Sequence, residues 1–208
     1  MRKSQSSGNE ERSDSFSETL DPGRRIEELG RRRVDSVLDL SFRPPLERSV
    51  ICAVVQATAD FTMAADMAVY EEDLRKIVSA LAGSALVVCD TYMSYHALAN
   101  YEPRVCYLAD DPDRELTRSA KGILEGIARH GEKAGYVVGT SPSALSALLN
   151  SGTSPLFVIG VPVGFVGAVS AKRRLRDASY PKVTNRSEKG GAAVAGAVFH
   201  ALLREART

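Results

Sequence analysis

The sequence predicts an α/β fold with three layers, in which helices cover both faces of a mainly parallel sheet of about five strands. Three observations lead to this prediction. Five short apolar runs follow one another along the chain, at residues 85–89, 104–108, 135–139, 156–160 and 182–184. A helical segment succeeds each run, which is the order expected of parallel strands. With 208 residues, 44% of them hydrophobic, the chain is long enough to bury one substantial core.

The N-terminal residues differ in composition from the rest of the chain. Residues 1–21 are rich in Ser, Glu and Arg and poor in apolar side chains, so we expect a disordered leader. Residues 22–208 then form a single domain. The domain begins with a highly charged helical pattern over residues 22–40 that includes Arg31, Arg32 and Arg33. These arginines either form a solvated helix face or reach towards an anionic ligand.

Two further helices precede the first apolar run. Pro44 and Pro45 end the charged segment, and residues 47–58 then place apolar side chains at helical spacing. This helix delivers Gln56 and the residues up to Asp60 at its C-terminal end. Residues 71–81 form the next helix, which we expect to stop at Gly83.

Composition argues against several classes of protein. The net charge is +1, so no field favours nucleic acid or an acidic membrane surface. No apolar run approaches the roughly 20 residues that span a bilayer, and the N-terminal residues lack the apolar core of a signal peptide. We therefore predict a cytoplasmic protein. Its cysteines, at positions 52, 89 and 106, are expected to be buried free thiols without a metal.

The predicted strand ends carry polar and glycine-rich segments. Ligands of parallel sheets bind at the carboxyl ends of the strands, so these segments predict one binding rim. They are Asp90 to Met93, Asp110 to Pro112, Gly139 to Pro142, the stretch around Gly164, Asn185 with Arg186, and Lys189 to Gly191. Hydroxyls, open backbone amides and a few cations, with Thr117, Arg118 and Ser119 added, suit a ligand that bears several carboxylates.

The stretch from Leu156 to Ala168 is the most distinctive part of this rim. An apolar strand gives way to a loop with one proline and several glycines, and a helix follows. The glycines either make a tight turn that lets the helix pack closely, or leave the backbone open to an anion at the helix N-terminus.

Several of these segments together resemble the ordered motifs of the precorrin-8X methylmutase family. The motifs, in order, are Ala57-Thr58-Ala59-Asp60-Phe61, Cys89-Asp90 with Met93, Thr117-Arg118-Ser119-Ala120, Gly139 with Pro142 and Ala144-Leu145, Gly160 to Ala168, and Lys189-Gly190-Gly191. The resemblance runs from about residue 34 to residue 203. The most specific block is Pro162-Val163-Gly164-Phe165-Val166-Gly167-Ala168.

The resemblance implies an activity and an assembly. The family comprises homodimeric α/β/α isomerases of cobalamin synthesis that move a methyl group between neighbouring ring carbons of a corrinoid precursor. They use no metal or organic cofactor, and their product, hydrogenobyrinic acid or its cobalt form, carries many carboxylate side chains. The resemblance therefore implies a corrinoid ligand, a homodimer and no cofactor for this chain.

It also implies roles for single residues. The family's central residue is a histidine that acts as an acid and stands directly before the Ala-Thr-Ala-Asp block, where this chain has Gln56. An amide donates a hydrogen bond but delivers no proton near neutral pH. We place Gln56 in the catalytic position. The predicted substrate-binding residues are Thr58, Asp60, Thr91, Met93, Arg118, Ser119, Gly139, Pro162, Gly164, Lys189 and Gly191.

Alternatives remain open at several of these positions. Arg118 pairs either with the ligand or with Asp110 or Asp111. Of the three histidines, only His96 is predicted near the rim, whereas His130 closes a helix and His200 lies in the last one. Asp60 and Asp66 would be acids of raised pKa if they were buried against an anionic ligand. For the whole protein, the alternatives to a methylmutase are another isomerase or lyase reaction in the same pocket, or a tetrapyrrole-binding protein without activity.

Overall fold

The computed structural model describes residues 21–110 and 115–208. The predicted leader, apart from Asp21, lies outside these residues, as do Asp111 and Pro112 of the second strand end. The helices are α1 (Pro22–Asp35), α2 (Pro45–Thr58), α3 (Met63–Asp66), α4 (Glu71–Ala82), α5 (Tyr92–Ala97), α6 (Arg118–His130), α7 (Pro142–Asn150), α8 (Ala168–Arg176) and α9 (Ala192–Ala206). The strands are β1 (Met67–Ala68), β2 (Leu86–Cys89), β3 (Arg104–Cys106), β4 (Ala134–Val138), β5 (Phe157–Gly160) and β6 (Lys182–Asn185).

The sheet confirms the predicted fold class. Its strand order is β1-β6-β5-β4-β2-β3, and every neighbouring pair is parallel except β1 with β6. The five predicted strands are β2 to β6. The sixth strand, β1, is only two residues long, too short to give a periodic pattern in the sequence.

Helices cover both faces of the sheet. Along β5, Phe157 and Ile159 are buried in the core beneath α2, α4 and α9, whereas Val158 between them is buried beneath α6, α7 and α8. Successive side chains of a strand point to opposite faces, so a strand buried on both faces is apolar at every position. The long charged pattern at the start is one helix, α1, that packs on α2 and ends at Asp35, earlier than predicted.

No helix within residues 21–110 and 115–208 is both long and apolar enough to cross a membrane. The same part of the chain holds no group of three or more His, Cys, Asp and Glu residues arranged to bind a metal ion.

Candidate functional site at the carboxyl edge of the sheet

Asp90, directly after β2, organises the loop that follows β4. Its carboxylate is buried and accepts hydrogen bonds from the backbone N–H groups of Thr140 and Ser141, at 2.9 and 2.8 Å. The Thr140 hydroxyl donates a further bond at 2.9 Å. Two strand ends that the sequence places 50 residues apart are therefore held together by one side chain.

Hydroxyl groups cluster where the N-termini of α6 and α7 meet. Ser119 Oγ donates to Ser141 Oγ at 2.7 Å, and the Thr117 and Ser143 hydroxyls are also 2.7 Å apart. Thr117 and Ser141 cap their own helices. Arg118 is exposed beside this cluster, and its Nε donates to the carbonyl of Ala109 at 2.7 Å. The predicted residues Arg118 and Ser119 thus share one helix end.

The glycine-rich loop after β5 packs against the loop before α9. Gly191 N–H donates to the Val161 carbonyl at 2.9 Å, and a Cβ on Gly190 would lie 2.1 Å from the same carbonyl oxygen. Gly190 is therefore required for this close packing. Pro162 is buried, and Gly164, with φ of +148°, donates to the Glu188 carbonyl at 2.9 Å.

A buried lysine, which was not predicted to belong to the site, holds the loop before α9. Lys172 is fully buried in α8, and its Nζ donates to Asn185 Oδ1 at 3.0 Å and to the carbonyls of Ser187 and Lys189, the latter at 2.7 Å. Burial lowers the pKa of Lys172 to about 8. The only sequence signal would have been a lysine at a position of α8 that otherwise faces the core.

Asp66 holds the same loop from the other side. Its carboxylate accepts hydrogen bonds from Asn185 Nδ2 and from the Ser187 backbone, both at 2.7 Å. Burial alone would raise the pKa of Asp66, but these hydrogen bonds outweigh it and the pKa lies below its ordinary value. The condition for a raised pKa at Asp66, burial against an anionic ligand, is not met in the ligand-free protein, where the carboxylate faces hydrogen-bond donors.

Asp60 and Lys189, both predicted to bind substrate, form an ion pair. Lys189 Nζ lies 2.6 Å from Asp60 Oδ2 and 2.6 Å from Thr62 Oγ1. The hydrogen bonds from Lys189 and then Thr62 lower the pKa of Asp60 to about 2. In the ligand-free protein Asp60 is therefore a stable carboxylate, and the anion next to Lys189 is one of the protein's own side chains.

The remaining predicted residues are placed as follows. Thr58 Oγ1 donates to the Val54 carbonyl at 2.8 Å within α2. Thr91 caps α5, and its hydroxyl oxygen lies 3.0 Å from that of Thr140. Met93, in the first turn of α5, is 68% exposed. A Cβ on Gly139 would meet Ser94 Oγ at 2.7 Å, so the space beside that glycine is already filled.

Gln56 lies in a cavity of about 590 Å³ between α1, α2 and α9. Its Nε2 donates to the Glu27 carbonyl of α1 at 3.2 Å. Val34, Phe61 and Ala197 give part of the cavity an apolar wall. The polar lining includes two arginines, Arg33 of α1 and Arg204 of α9.

His200 lines the same cavity, which the sequence analysis did not anticipate. It is half-buried on α9, and its Nε2 lies 3.0 Å from the Ala97 carbonyl oxygen. His96, the histidine predicted near the rim, is exposed on α5, and His130 is hydrogen-bonded to the Tyr107 hydroxyl at 2.7 Å. Only the packing of α9 on α2 brings His200 to Gln56, and no local pattern records that packing.

Comparison with known proteins agrees with the motifs. A family model described as precorrin-8X methylmutase matches residues 25–205. The cobalt-precorrin-8 methylmutase of Salmonella typhimurium is 32% identical over 184 residues, which cover 81% of this chain and 86% of that protein. The precorrin-8X methylmutase of Pseudomonas aeruginosa is 37% identical over 144 residues, covering 61% and 69%. The crystal structure of the precorrin-8x methyl mutase from Thermus thermophilus superposes with a TM-score of 0.78 at 30% identity, covering 88% of this chain and 96% of that one.

Proposed function

The chain belongs to the precorrin-8X methylmutase family, and we propose that it catalyses an intramolecular methyl shift on a corrinoid precursor in cobalamin biosynthesis. The relatives bear the names of both the cobalt-bearing and the precorrin-8X enzymes. The reaction is an isomerisation, in which one carbon–carbon bond breaks and another forms within one molecule. It therefore needs a pocket that binds and orients the substrate more than it needs a co-reactant.

The cavity around Gln56 is the observation that carries this proposal. A corrinoid combines an apolar macrocycle with peripheral carboxylates, and the cavity combines an apolar wall with the guanidinium groups of Arg33 and Arg204. Guanidinium groups bind carboxylates through paired, charge-assisted hydrogen bonds. We propose that the macrocycle lies against this wall.

The predicted rim residues then bind the periphery of the ligand. Arg118, exposed beside the hydroxyl cluster, is the rim cation whose guanidinium has the greatest freedom to meet a carboxylate. Lys189 reaches a ligand only by sharing its ammonium group with Asp60, at 2.6 Å.

Gln56 orients the reacting ring in this proposal. Its side-chain N–H groups are donors, and one of them is satisfied by Glu27 of α1. The carbonyl oxygen of the amide accepts a hydrogen bond from the ligand. Because an amide does not titrate near neutral pH, Gln56 binds and polarises but does not protonate.

A second candidate, corrinoid binding without turnover, is favoured by one specific observation. The Gln56 amide joins α2 to α1 across the cavity, which is a structural use of the side chain. A protein that holds or delivers a tetrapyrrole needs the pocket but no proton donor at this position. A divergent isomerase or lyase would use the same cavity for a different conjugated ligand.

Titration with hydrogenobyrinic acid, followed by absorbance, tests the corrinoid proposals. We expect the native protein to bind this reaction product and, in a separate assay with precorrin-8X as substrate, to catalyse the methyl shift, and a Gln56→His variant to be at least as active. Gln56→Asn serves as the control, because it keeps an amide but shortens its reach. Binding with turnover only in Gln56→His would favour the binding protein, and absence of binding by every form would exclude both corrinoid functions.

We also propose that the protein acts as a homodimer in the cytoplasm. The loop after β5 and the first turn of α8 present four apolar side chains to solvent, Val163, Phe165, Val166 and Val169. Contiguous exposed apolar side chains of this kind are typical of an interface. The occupant we propose is a second copy of the chain.

A further inference from the structure

We propose that His200 exchanges a proton with the ligand bound beside Gln56 and is the acid that Gln56 itself cannot be. This inference rests on the function proposed above and assigns a residue to it. His200 is the histidine among the described residues that lines the cavity, and it does so from α9, the helix that packs most extensively on α2.

The hydrogen bond to Ala97 determines which ring nitrogen is available. A backbone carbonyl only accepts, so the 3.0 Å contact assigns the N–H to His200 Nε2. Ala97 is not part of the cavity lining. The nitrogen that can gain or lose a proton is therefore Nδ1, the other ring nitrogen of this cavity-lining residue.

Burial, together with the neighbouring cations, lowers the pKa of His200 and so favours its neutral form in the free protein. Burial lowers the pKa of His200 below its ordinary value, and Arg204 and Arg207 lower it further, although the hydrogen bond to Ala97 acts in the opposite direction. The other charged groups that line the cavity are Arg33 and Glu27, both on α1, and Glu27 Oε2 lies 4.0 Å from Arg204 Nη1. Cations thus outnumber anions around the ring.

A ligand with several carboxylates reverses this balance. Its carboxylates neutralise Arg33 and Arg204 and add negative charge near the ring, which favours the imidazolium form. Binding therefore raises the pKa of His200 and takes up a proton from solvent. In this proposal the bound substrate causes His200 to become protonated, and the protonated imidazole then serves as the acid.

The proton balance of the step is closed. Nδ1 lends its proton to the conjugated ring system, one carbon–carbon bond breaks and one forms as the methyl group moves, and the proton returns to Nδ1 before the product leaves. Substrate and product are isomers, so no oxidant, reductant or other reactant takes part. Gln56 holds the ring in register while this happens.

Calorimetric titration with hydrogenobyrinic acid, in buffers of different ionisation enthalpy, measures the proton uptake directly. At a pH between the pKa values of His200 in the free and the bound protein, we expect the native protein to take up about one proton per ligand. A His200→Gln variant should bind without that uptake. His96→Gln, an exposed histidine outside the cavity, is the matched control and should keep it.

Turnover provides the second readout. We expect His200→Gln to lower kcat by about 100-fold or more with little change in KM, and to remove the basic limb of the pH profile. If His200→Gln does not fold, NMR of ¹⁵N-labelled imidazoles in the native protein replaces it, with His96→Gln and His130→Gln identifying the His200 signals. An upward shift of the His200 pKa on binding supports the inference.

The outcomes separate the inference from the function. Binding without proton uptake, uptake that survives His200→Gln, or a His200 pKa that does not rise would overturn the role of His200 and leave the methylmutase proposal intact. Failure of the native protein to bind hydrogenobyrinic acid would overturn both.

Discussion

Lys189 and Asp60 lie far apart in the sequence, and their ion pair connects the loop before α9 to the residues that follow α2. The interaction with Lys189 holds the pKa of Asp60 at about 2, against an ordinary 3.8. A carboxyl group whose pKa is lower in the folded state stabilises it above pH 3.8, and that contribution is lost as the pH falls towards 2. The effect is small in energy because the pair is open to solvent.

Lys189→Met tests this pair. We expect the pKa of Asp60 to rise towards its ordinary value without reaching it, since Thr62 still donates to the carboxylate. Stability should correspondingly depend less on pH between 4 and 2. NMR titration of the Asp60 carboxyl carbon measures the shift, with exposed Lys76→Met as control. An unchanged Asp60 titration would show that the ion pair does not form in solution.

Lys172 is the residue on which the loop from Asn185 to Lys189 depends most. Lys172→Met keeps the length of the side chain but removes the donor to Asn185 and to two backbone carbonyls. Acceptors left without a partner cost about 1–3 kcal/mol each. The Lys189 carbonyl keeps its bond from Asn185 Nδ2, and no ammonium group is then buried, so the loss is partly offset. We expect a loss of about 3 kcal/mol in the free energy of unfolding, measured by urea denaturation. The neighbouring exposed Arg173→Met should change it by less than about 0.5 kcal/mol.

At the scale of the strand, β4 and β5 fit together through Gly135. A Cβ at this position would lie 2.2 Å from Cζ of Phe157, so the aromatic ring occupies the space of the missing side chain. Gly135→Ala should destabilise the protein by about 1–3 kcal/mol through overpacking. Adding Phe157→Leu should recover part of that loss, because it vacates the contact.

Thermal and urea unfolding of these two variants check the prediction. Gly83→Ala is the matched control, since its Cβ would meet neighbouring carbonyl oxygens at ordinary distances of 3.5 and 3.6 Å. A Gly135→Ala protein as stable as Gly83→Ala would mean that β4 and β5 adjust to the extra methyl group.

At the scale of the whole molecule, the exposed loop after β5 predicts the assembly. Phe165 is 94% exposed, and a large apolar side chain so fully open to water beside other exposed apolar residues is typical of an interface, so we expect a partner to cover it. Phe165→Glu should raise the dimer dissociation constant by at least about 10-fold, because it buries a charge in an apolar contact. Sedimentation velocity across a concentration series measures this. Phe42→Glu, at a residue 73% exposed elsewhere on the surface, should leave the assembly unchanged.

The sequence alone predicted much of the fold, and the reason is local. Strands β2, β4 and β5 are buried on both faces almost throughout, so each one is a continuous apolar run that stands out between helical patterns. Ser141 and Pro142 also mark the start of α7 without reference to the rest of the molecule. The strand β1 was missed because its two residues form a strand only by pairing with β6.

The site was predicted less completely, because its chemistry depends on distant partners. The sequence predicted that Asp60 and Lys189 bind substrate, but only the folded chain brings the two together, and that contact makes Asp60 a stable carboxylate in the free protein. His200 looked like one residue of a terminal helix. It lines the Gln56 cavity because α9 packs against α2, some 140 residues earlier in the chain.

The sequence by itself therefore determined the order of the longer elements, the layered α/β architecture and the family, all of which depend on local patterns and ordered motifs. Tertiary structure alone decided what each titratable side chain lies beside: Lys172 beside the loop at Asn185, Lys189 beside Asp60, and His200 in the cavity that also holds Gln56. The physical reason is that apolar periodicity acts over a few residues, whereas the charge state of a side chain depends on whatever the packed helices and loops place beside it.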